Sequence, residues 1–222
     1  WELSAGGLAG VWAKTNTRQD ILEAFRRREV YGTSGPRIAL RMFAGWEFSS
    51  ADGRATDISV AGYRRGVPMG ADLPTAPGRR HAPTLMIEAA RDPLSGNLDR
   101  IQVVKGWLDG AGVVHEEIFD VAWSGERRKG ADGRLPPVGN TVDAQTATFR
   151  NDIGAPQLAA VWRDPQFDAT QRAFYYVRVL EIPTPRHSTY DAVALQMPVE
   201  QTKAPVWIQE RAWSSPVWFT PH

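Results

Sequence analysis

The fold is decided by residues 11–38, VWAKTNTRQDILEAFRRREVYGTSGPRI, whose pattern predicts the end of a strand, then a helix and then a polar turn. The apolar run at residues 8–13 predicts that strand. Thr17 is a good N-cap for a helix of about residues 17–29, and Asp20 stands three positions later, where a capping carboxylate belongs. One strand–helix–turn unit cannot bury its own apolar face, so we interpret it as the last piece of a larger α/β layer that this chain does not contain.

The predicted helix has apolar residues at helical spacing. Ile21, Leu22 and Phe25 are expected to form its buried stripe. The arginine run at residues 26–28 is more typical of a solvent-exposed helix face than of an anion-binding site.

Beyond residue 38 the pattern changes to a period of two, which is typical of strands. Gly, Pro, Asn and Asp turns separate the predicted strands, Asp109-Gly110 fits a hairpin, and residues 66–83 are expected to form a long covering loop. The fold class is therefore mainly β (α+β), an antiparallel β-sandwich at residues 39–222 preceded by the unit at residues 1–38. The predicted strands are residues 38–48, 84–90, 98–108, 113–123, 146–150, 157–164, 173–182, 207–213 and 216–219.

Composition narrows the classes of function. The chain has 222 residues, a formal net charge of +1 and no cysteine. Disulfides and thiolate metal sites are excluded, and the charge gives no argument for nucleic acid or a membrane surface. No apolar run approaches the ~20 residues of a membrane span, and no signal peptide is visible. Because the sequence starts at Trp1 and not Met, we expect a processed, trimmed or partial product.

Tryptophan is abundant, with nine residues in pieces such as GWEF and VWF. Such strands suit a half-buried sheet surface, and aromatic-rich strands can also form a sugar-binding face. The sandwich core is the favoured interpretation.

Common catalytic motifs are missing from the sequence. There is no Gly-x-Gly-x-x-Gly, no Walker motif, no Gly-x-Ser-x-Gly elbow and no His-Glu-x-x-His. His115 and Glu117 share a strand face and could ligate a metal, although a solvated face is favoured.

The first polar segment that could form a ligand-binding site is TSGPR at residues 33–37. The hydroxyls of Thr33 and Ser34 and the fork of Arg37 suit a phosphate, sulfate or carboxylate. The alternative is a domain-junction turn in which Arg37 pairs with a carboxylate.

The second is PTPRHSTYD at residues 183–191. Its two prolines predict a stiff loop that projects Arg186, His187, Tyr190 and Asp191 from the end of the strongest strand. Such a loop can build a site, and it can equally lock an interface between domains.

Six motifs of this sequence resemble those of a known family. The motifs are WELSAGGLAGVWAKTNTRQDILEAFRRREVYGTSGPRIALRMFAGWEF, PMGADLP, NLDRIQVVKGWLDGAG, LPPVGNTVDAQTATF, RAFYYVRVLEIPTPRHSTYDA and IQERAWSSPVWFTP, and they cover nearly the whole chain. They resemble the C-terminal part of a bacterial family catalogued as domain of unknown function 3604, which is placed near the PHP (polymerase and histidinol phosphatase) superfamily of metal-dependent phosphoesterases.

The resemblance implies a PHP-like α/β barrel closed by residues 1–38. It also implies divalent metal ions (Zn, Mn or Fe) held by upstream residues, since no metal ligand carries over to this chain. TSGPR would lie near the barrel mouth, and Thr33, Ser34, Arg37, Arg186, Tyr190 and Asp191 would bind the substrate or orient groups around it. The implied localisation is the periplasm or cell envelope.

We therefore expect the C-terminal portion of a PHP-like hydrolase that acts on a small phosphate or sulfate ester and is inactive alone. Its partner would be the N-terminal barrel segment or a companion chain, with no nucleic acid and no membrane span. The alternative is a non-catalytic β-sandwich module that binds a glycan or a protein beside a degenerate barrel. In a third hypothesis the sandwich packs on the barrel and drives oligomerisation.

Overall fold

A computed structural model describes residues 6–78 and 81–221 and shows a mainly β protein. Two antiparallel sheets face each other in the manner of a β-sandwich, which confirms the predicted fold class at this level. Fully buried side chains from both sheets, such as Leu40, Leu85, Val103 and Val177, share one core. Burial of this apolar layer is the main force that holds the sheets together.

The element bounds follow the predicted alternation closely in the longer strands. The helices are α1 (Arg18–Arg26), α2 (Ile58–Arg65) and α3 (His187–Ala194). The strands are β1 (Leu8–Val11), β2 (Val30–Thr33), β3 (Ala39–Gly45), β4 (Gly66–Pro68), β5 (Thr84–Ala90), β6 (Leu98–Leu108), β7 (Val114–Trp123), β8 (Gln157–Arg163), β9 (Ala173–Glu181), β10 (Thr184–Pro185), β11 (Trp207–Ile208), β12 (Arg211–Ser214) and β13 (Val217–Phe219).

The larger sheet has the order β1-β2-β12-β9-β6-β7, and β13 also pairs with β9. The smaller sheet has the order β4-β3-β5-β8, and β10 and β11 form a separate pair. None of the helices in the described part of the chain is long and apolar enough to cross a membrane.

Helix α2 covers the outer face of the smaller sheet. Ile58 and Ala61 pack there against Phe43 and Met86, and Asp57 caps the helix by accepting the backbone N–H of Ser59 at 2.8 Å. The sequence pattern did not predict this helix because ISVAGYRR mixes β-branched residues with glycine, which are weak helix formers. Tertiary packing therefore stabilises a helix that propensity alone does not favour.

The N-terminal unit forms as predicted, but its helix faces differently. Thr17 caps α1 by accepting the backbone N–H of Asp20 at 3.3 Å, and β2 pairs with β12, which joins the unit to the larger sheet. The predicted buried stripe is wrong for two of its three residues, since Leu22 is 43% and Phe25 47% exposed, whereas Ile21 is half-buried. Only the small Ala24 is buried, and no described element covers the opposite side of the helix. The predicted domain boundary at residue 38, between the N-terminal unit and the sandwich, stays a prediction.

Two further expectations are corrected. Residues 146–150 form no strand, because only an isolated bridge joins Asp143 to Thr148 and Ala147 has a left-handed φ of 50°. Residues 183–191 are not a stiff loop, since β10 is followed there by α3. Pro185 lies just ahead of the helix, where its missing N–H removes no helical hydrogen bond. The residues that follow it can therefore form α3.

The long loop after β4 packs on the sandwich and so covers its core. Met69 and Leu73 are buried, and the backbone N–H of Leu73 donates to the carbonyl of Trp218 at 2.7 Å. Gly70 has φ +86°, and a Cβ at this position would lie 2.1 Å from the carbonyl oxygen of Arg28. Glycine is therefore required where the loop crosses the end of the N-terminal unit.

Candidate functional site

The TSGPR turn continues from the end of β2 and is fastened to β12. The Ser34 hydroxyl donates to a carboxylate oxygen of Glu210 and accepts the backbone N–H of Arg211 at 2.9 Å. Thr33 is buried, and its hydroxyl oxygen accepts the Gly35 N–H at 3.4 Å. The turn is thus a rigid feature at one end of the larger sheet.

Arg37 lies at the far side of this turn with an exposed side chain. Its backbone N–H, and not its guanidinium, donates to Oδ2 of Asp92 at 2.8 Å. Burial opposes ionisation of Asp92, yet the N–H groups of Arg37 and Leu94 hold the pKa of that carboxyl below its usual range. A negative charge at Asp92 therefore anchors the end of the turn.

The second predicted segment starts helix α3 with Arg186 at the N-cap. Its guanidinium donates to the hydroxyl of Ser188 at 3.0 Å, and its backbone N–H donates to Val206. Thr189 is fully buried and donates to the same Val206 carbonyl at 2.6 Å. Tyr190 and Asp191 follow on the exposed side of the helix.

The two predicted segments meet at one cavity of about 340 Å³, here named the TSGPR pocket. The structure thus brings Thr33, Ser34 and Arg186 together, whereas Arg37, Tyr190 and Asp191 do not line it. The lining residues are Gly7, Thr33, Ser34, Arg186, His187, Ile208, Glu210 and Trp213.

Sequence reasoning missed the carboxyl groups beside this pocket. Glu181 is fully buried, and Ser95 donates its hydroxyl to Oε2 at 2.6 Å, while Oε1 has no hydrogen-bond partner in the described residues. Burial, together with the nearby charges of Glu210 and Asp92, raises the pKa of Glu181 to about 7. The period-two pattern of β9 could have predicted that Glu181 is buried. Tyr175, Val177 and Val179 face the core, and Glu181 is the next residue on the same face of the strand.

The pocket can bind an anion that also carries a hydrogen-bond donor. Arg186 and the first turn of α3 supply positive potential, and His187 can donate or accept. The hydroxyl of Ser34 is already committed to Glu210, whose carboxylate oxygens can also accept a hydrogen bond from a hydroxyl group of the same ligand.

The described residues do not fit a divalent metal ion. No group of three or more His, Asp or Glu side chains among residues 6–78 and 81–221 is arranged to hold one. His115 contacts Oδ2 of Asp109 at 2.8 Å and stacks on Trp107, with ring centroids 5.1 Å apart, so its ring has partners other than a metal.

A second concave surface lies at the other end of the larger sheet and is named the aromatic cleft. It has a volume of about 370 Å³ and is lined by Trp107, Phe174 and Trp218, among others. Phe174 and Trp218 have ring centroids 5.2 Å apart, and Trp218 is 41% exposed. Exposed rings of this kind can stack on apolar sugar faces or on a partner's side chains.

The model of a family described as "Protein of unknown function (DUF3604)" matches residues 1–221 of this chain. No curated protein and no solved structure matches the chain.

Proposed function

Because the chain belongs to the DUF3604 family of proteins of unknown function, we propose that it is the C-terminal portion of a PHP-like metal-dependent hydrolase that acts on a phosphate or sulfate ester. One observation carries this proposal: two segments about 150 residues apart in sequence converge on the TSGPR pocket, where Thr33 and Arg186 face one space. An arginine beside hydroxyls at a helix start is suited to the anionic group of such an ester.

In this proposal the pocket binds the ester and residues outside this chain hold the metal ions. An N-terminal barrel segment or a companion chain would supply them, in the periplasm or cell envelope. The exposed apolar side chains of Leu22 and Phe25 on α1 support a covering partner of this kind, because paired apolar residues on one helix face gain most when another layer buries them.

The test is the substitution Arg186→Ala in the complete protein. We expect kcat/KM for an aryl phosphate or aryl sulfate to fall at least about tenfold, equivalent to about 1.4 kcal/mol, because the anionic group loses a charge-assisted partner. Steady-state kinetics with both esters measure the loss, and Arg186→Lys should recover part of it. The same assay on Arg37→Ala checks whether that side chain contributes although it lies outside the pocket.

Arg150→Ala is the matched control, since the side chain of this arginine is 73% exposed and pairs with Asp152 at the surface. It should leave kcat/KM unchanged. Unchanged kinetics in Arg186→Ala, with a normal unfolding midpoint, would rule out the pocket as the ester site.

A second candidate function rests on the aromatic cleft. Trp107, Phe174 and Trp218 favour a non-catalytic module that binds a glycan or a protein. Trp218→Ala should then weaken retention on a glycan array or a partner column about five- to thirtyfold, because an exposed stacking ring contributes about 1–2 kcal/mol. The exposed Trp207 of β11 lies outside the cleft, and Trp207→Ala is the control. Equal retention of the two variants would exclude the cleft.

A further inference from the structure

A third cavity in the described part of the chain belongs to neither candidate site. It has a volume of about 640 Å³ and lies where the N-terminal unit crosses the outer face of the smaller sheet. Because Leu8 pairs with Thr33 and Val11 with Val30, it lies at the opposite end of the β1–β2 pair from the TSGPR pocket, about 10 Å along the strands. We name it the Arg41 cavity; its main lining residues are Trp12, Lys14, Arg27, Glu29, Arg41 and Tyr63.

Arg41 projects from β3 between aromatic rings. Its guanidinium carbon lies 4.3 Å from the ring centroid of Trp12 and 5.7 Å from that of Tyr63. Cation–π contacts of this kind hold the guanidinium in place but satisfy none of its N–H donors. The indole of Trp12 is itself fixed, because its Nε1–H donates to the carbonyl of Leu40 at 2.9 Å.

The hydrogen bonding of Arg41 is incomplete. Nη2 donates to the Tyr63 hydroxyl at 3.3 Å, whereas Nε is buried and has no partner among the described residues. A buried guanidinium donor without an acceptor is costly, and an anion in the cavity would offset part of this cost by neutralising the charge of the guanidinium.

The carboxylate nearest to this space is already occupied. Glu29 is 2% exposed, accepts the Tyr63 hydroxyl through Oε1 and contacts Arg27 Nη2 through Oε2 at 3.3 Å. Burial, reinforced by the hydrogen bond to Glu29, raises the pKa of Tyr63, so its hydroxyl remains a donor. Asp57 also lies close enough to Arg41 to feel its charge, and it is engaged in capping α2.

The rim adds positive charge and the walls are mostly carbon. Lys14 is exposed and takes part in none of the ion pairs found among the described residues. With Arg27 and Arg41 it gives the cavity an excess of positive over negative groups. A ligand here should therefore combine one anionic group with an apolar body that contacts Trp12 and Tyr63.

We propose that the Arg41 cavity binds a small carboxylate with an apolar body, with the carboxylate on Arg41 and Lys14 and the body against Trp12. This assignment is independent of the proposed hydrolase function, because it uses none of the residues that line the TSGPR pocket.

The probe is benzoate, titrated into the 222-residue chain by calorimetry and by NMR, with the indole N–H signal of Trp12 as the local reporter. Benzamide keeps the ring without the charge, and acetate keeps the charge without the ring. We expect saturable benzoate binding that shifts the Trp12 signal, and affinities for both analogues lower by at least about tenfold.

Variants locate the site. Lys14→Glu should weaken benzoate about fivefold or more, since an exposed charge is reversed at the rim. Arg41→Met should abolish detectable binding. Arg18→Met removes an exposed arginine of α1 that does not line the cavity, and it should have no effect.

If Arg41→Met fails to fold, Lys14→Glu and the benzamide comparison still decide the question. Equal affinities for benzoate and benzamide, equal losses in Lys14→Glu and Arg18→Met, or no saturable binding would overturn the proposal.

Discussion

Asp164→Ala is expected to lower the free energy of unfolding by about 3–5 kcal/mol, the loss that follows when one partner of a buried ion pair is removed. Asp164 is 2% exposed at the end of β8, and its Oδ2 lies 2.7 Å from Nζ of Lys105 on β6. The hydroxyl of Tyr175 on β9 donates to the same oxygen at 2.6 Å. Burial, and then the charge of Asp164, raises the pKa of Tyr175, which keeps this hydroxyl protonated as a donor.

The size of the effect comes from what the substitution leaves behind. Lys105 is 3% exposed, and without Asp164 its remaining contacts among the described residues include the carbonyl of Gln166 at 2.8 Å, the face of Trp107 and a weaker electrostatic interaction with Asp168. An ammonium group in this position has lost its water and its hydrogen-bonded counter-charge together. The cost is therefore that of an uncompensated buried charge, and it far exceeds that of one lost hydrogen bond.

Urea unfolding followed by tryptophan fluorescence measures the difference. Asp152→Ala is the control, because Asp152 pairs with Arg150 at a surface where the two side chains are 55% and 73% exposed. That change should cost no more than about 1 kcal/mol. Similar losses for the two substitutions would mean that Lys105 finds water or another acceptor.

The strands were largely predictable because their pattern is local. In β9, Ala173, Tyr175, Val177 and Val179 face the core at every second position, so the period of two is visible in the sequence. β5 and β6 were also predicted with their observed bounds, although most of their consecutive side chains are buried and do not alternate. Membership of the DUF3604 family, predicted from the motifs, is confirmed by the match over residues 1–221.

The helices were less predictable because their faces depend on neighbours. Leu22 and Phe25 have the spacing of a buried stripe, yet the buried residue of this helix is Ala24. Spacing indicates which residues share a face, but it does not indicate whether another layer covers that face. In α3, prolines suggested a loop, although a proline ahead of the first turn is compatible with a helix.

The candidate site could be predicted only in part. Thr33, Ser34 and Arg186 were singled out by residue type, and the structure places them around one pocket. Glu210 was missed because its role depends on a contact with Ser34 across 176 positions of sequence. Such contacts follow from the order of strands in the sheet, which hydrophobic period does not specify.

Glu181→Gln is expected to stabilise the chain at pH 8 by up to about 3 kcal/mol and to change little near pH 4.5. The pKa of Glu181 is raised from 4.5 to about 7, first by burial and then by Glu210 and Asp92. The folded state therefore binds the proton more tightly than the unfolded state. Its contribution to stability is fully present below about pH 4.5 and is lost as the pH rises through 7, at 1.36 kcal/mol per pH unit.

The measurement is the free energy of unfolding of wild type and variant from pH 4.5 to 8. Groups that do not interact with Glu181 titrate equally in both proteins, so the difference reports on Glu181 and its neighbours Glu210 and Asp92, and it should grow with pH and level off above 7. Glu116→Gln, on the exposed side of β7, removes the same charge and should give no such rise.

The opposite outcome has a defined meaning, because Ser95 donates its hydroxyl to Glu181 at 2.6 Å. A variant that is less stable at pH 8 would show that this bond requires the ionised acceptor and outweighs repulsion from Asp92 and Glu210. The expected outcome would show instead that Glu181 gives up its proton only near pH 7. Asp92 and Glu210 hold the two ends of the TSGPR turn, so a protonated Glu181 adds no third carboxylate charge beside them.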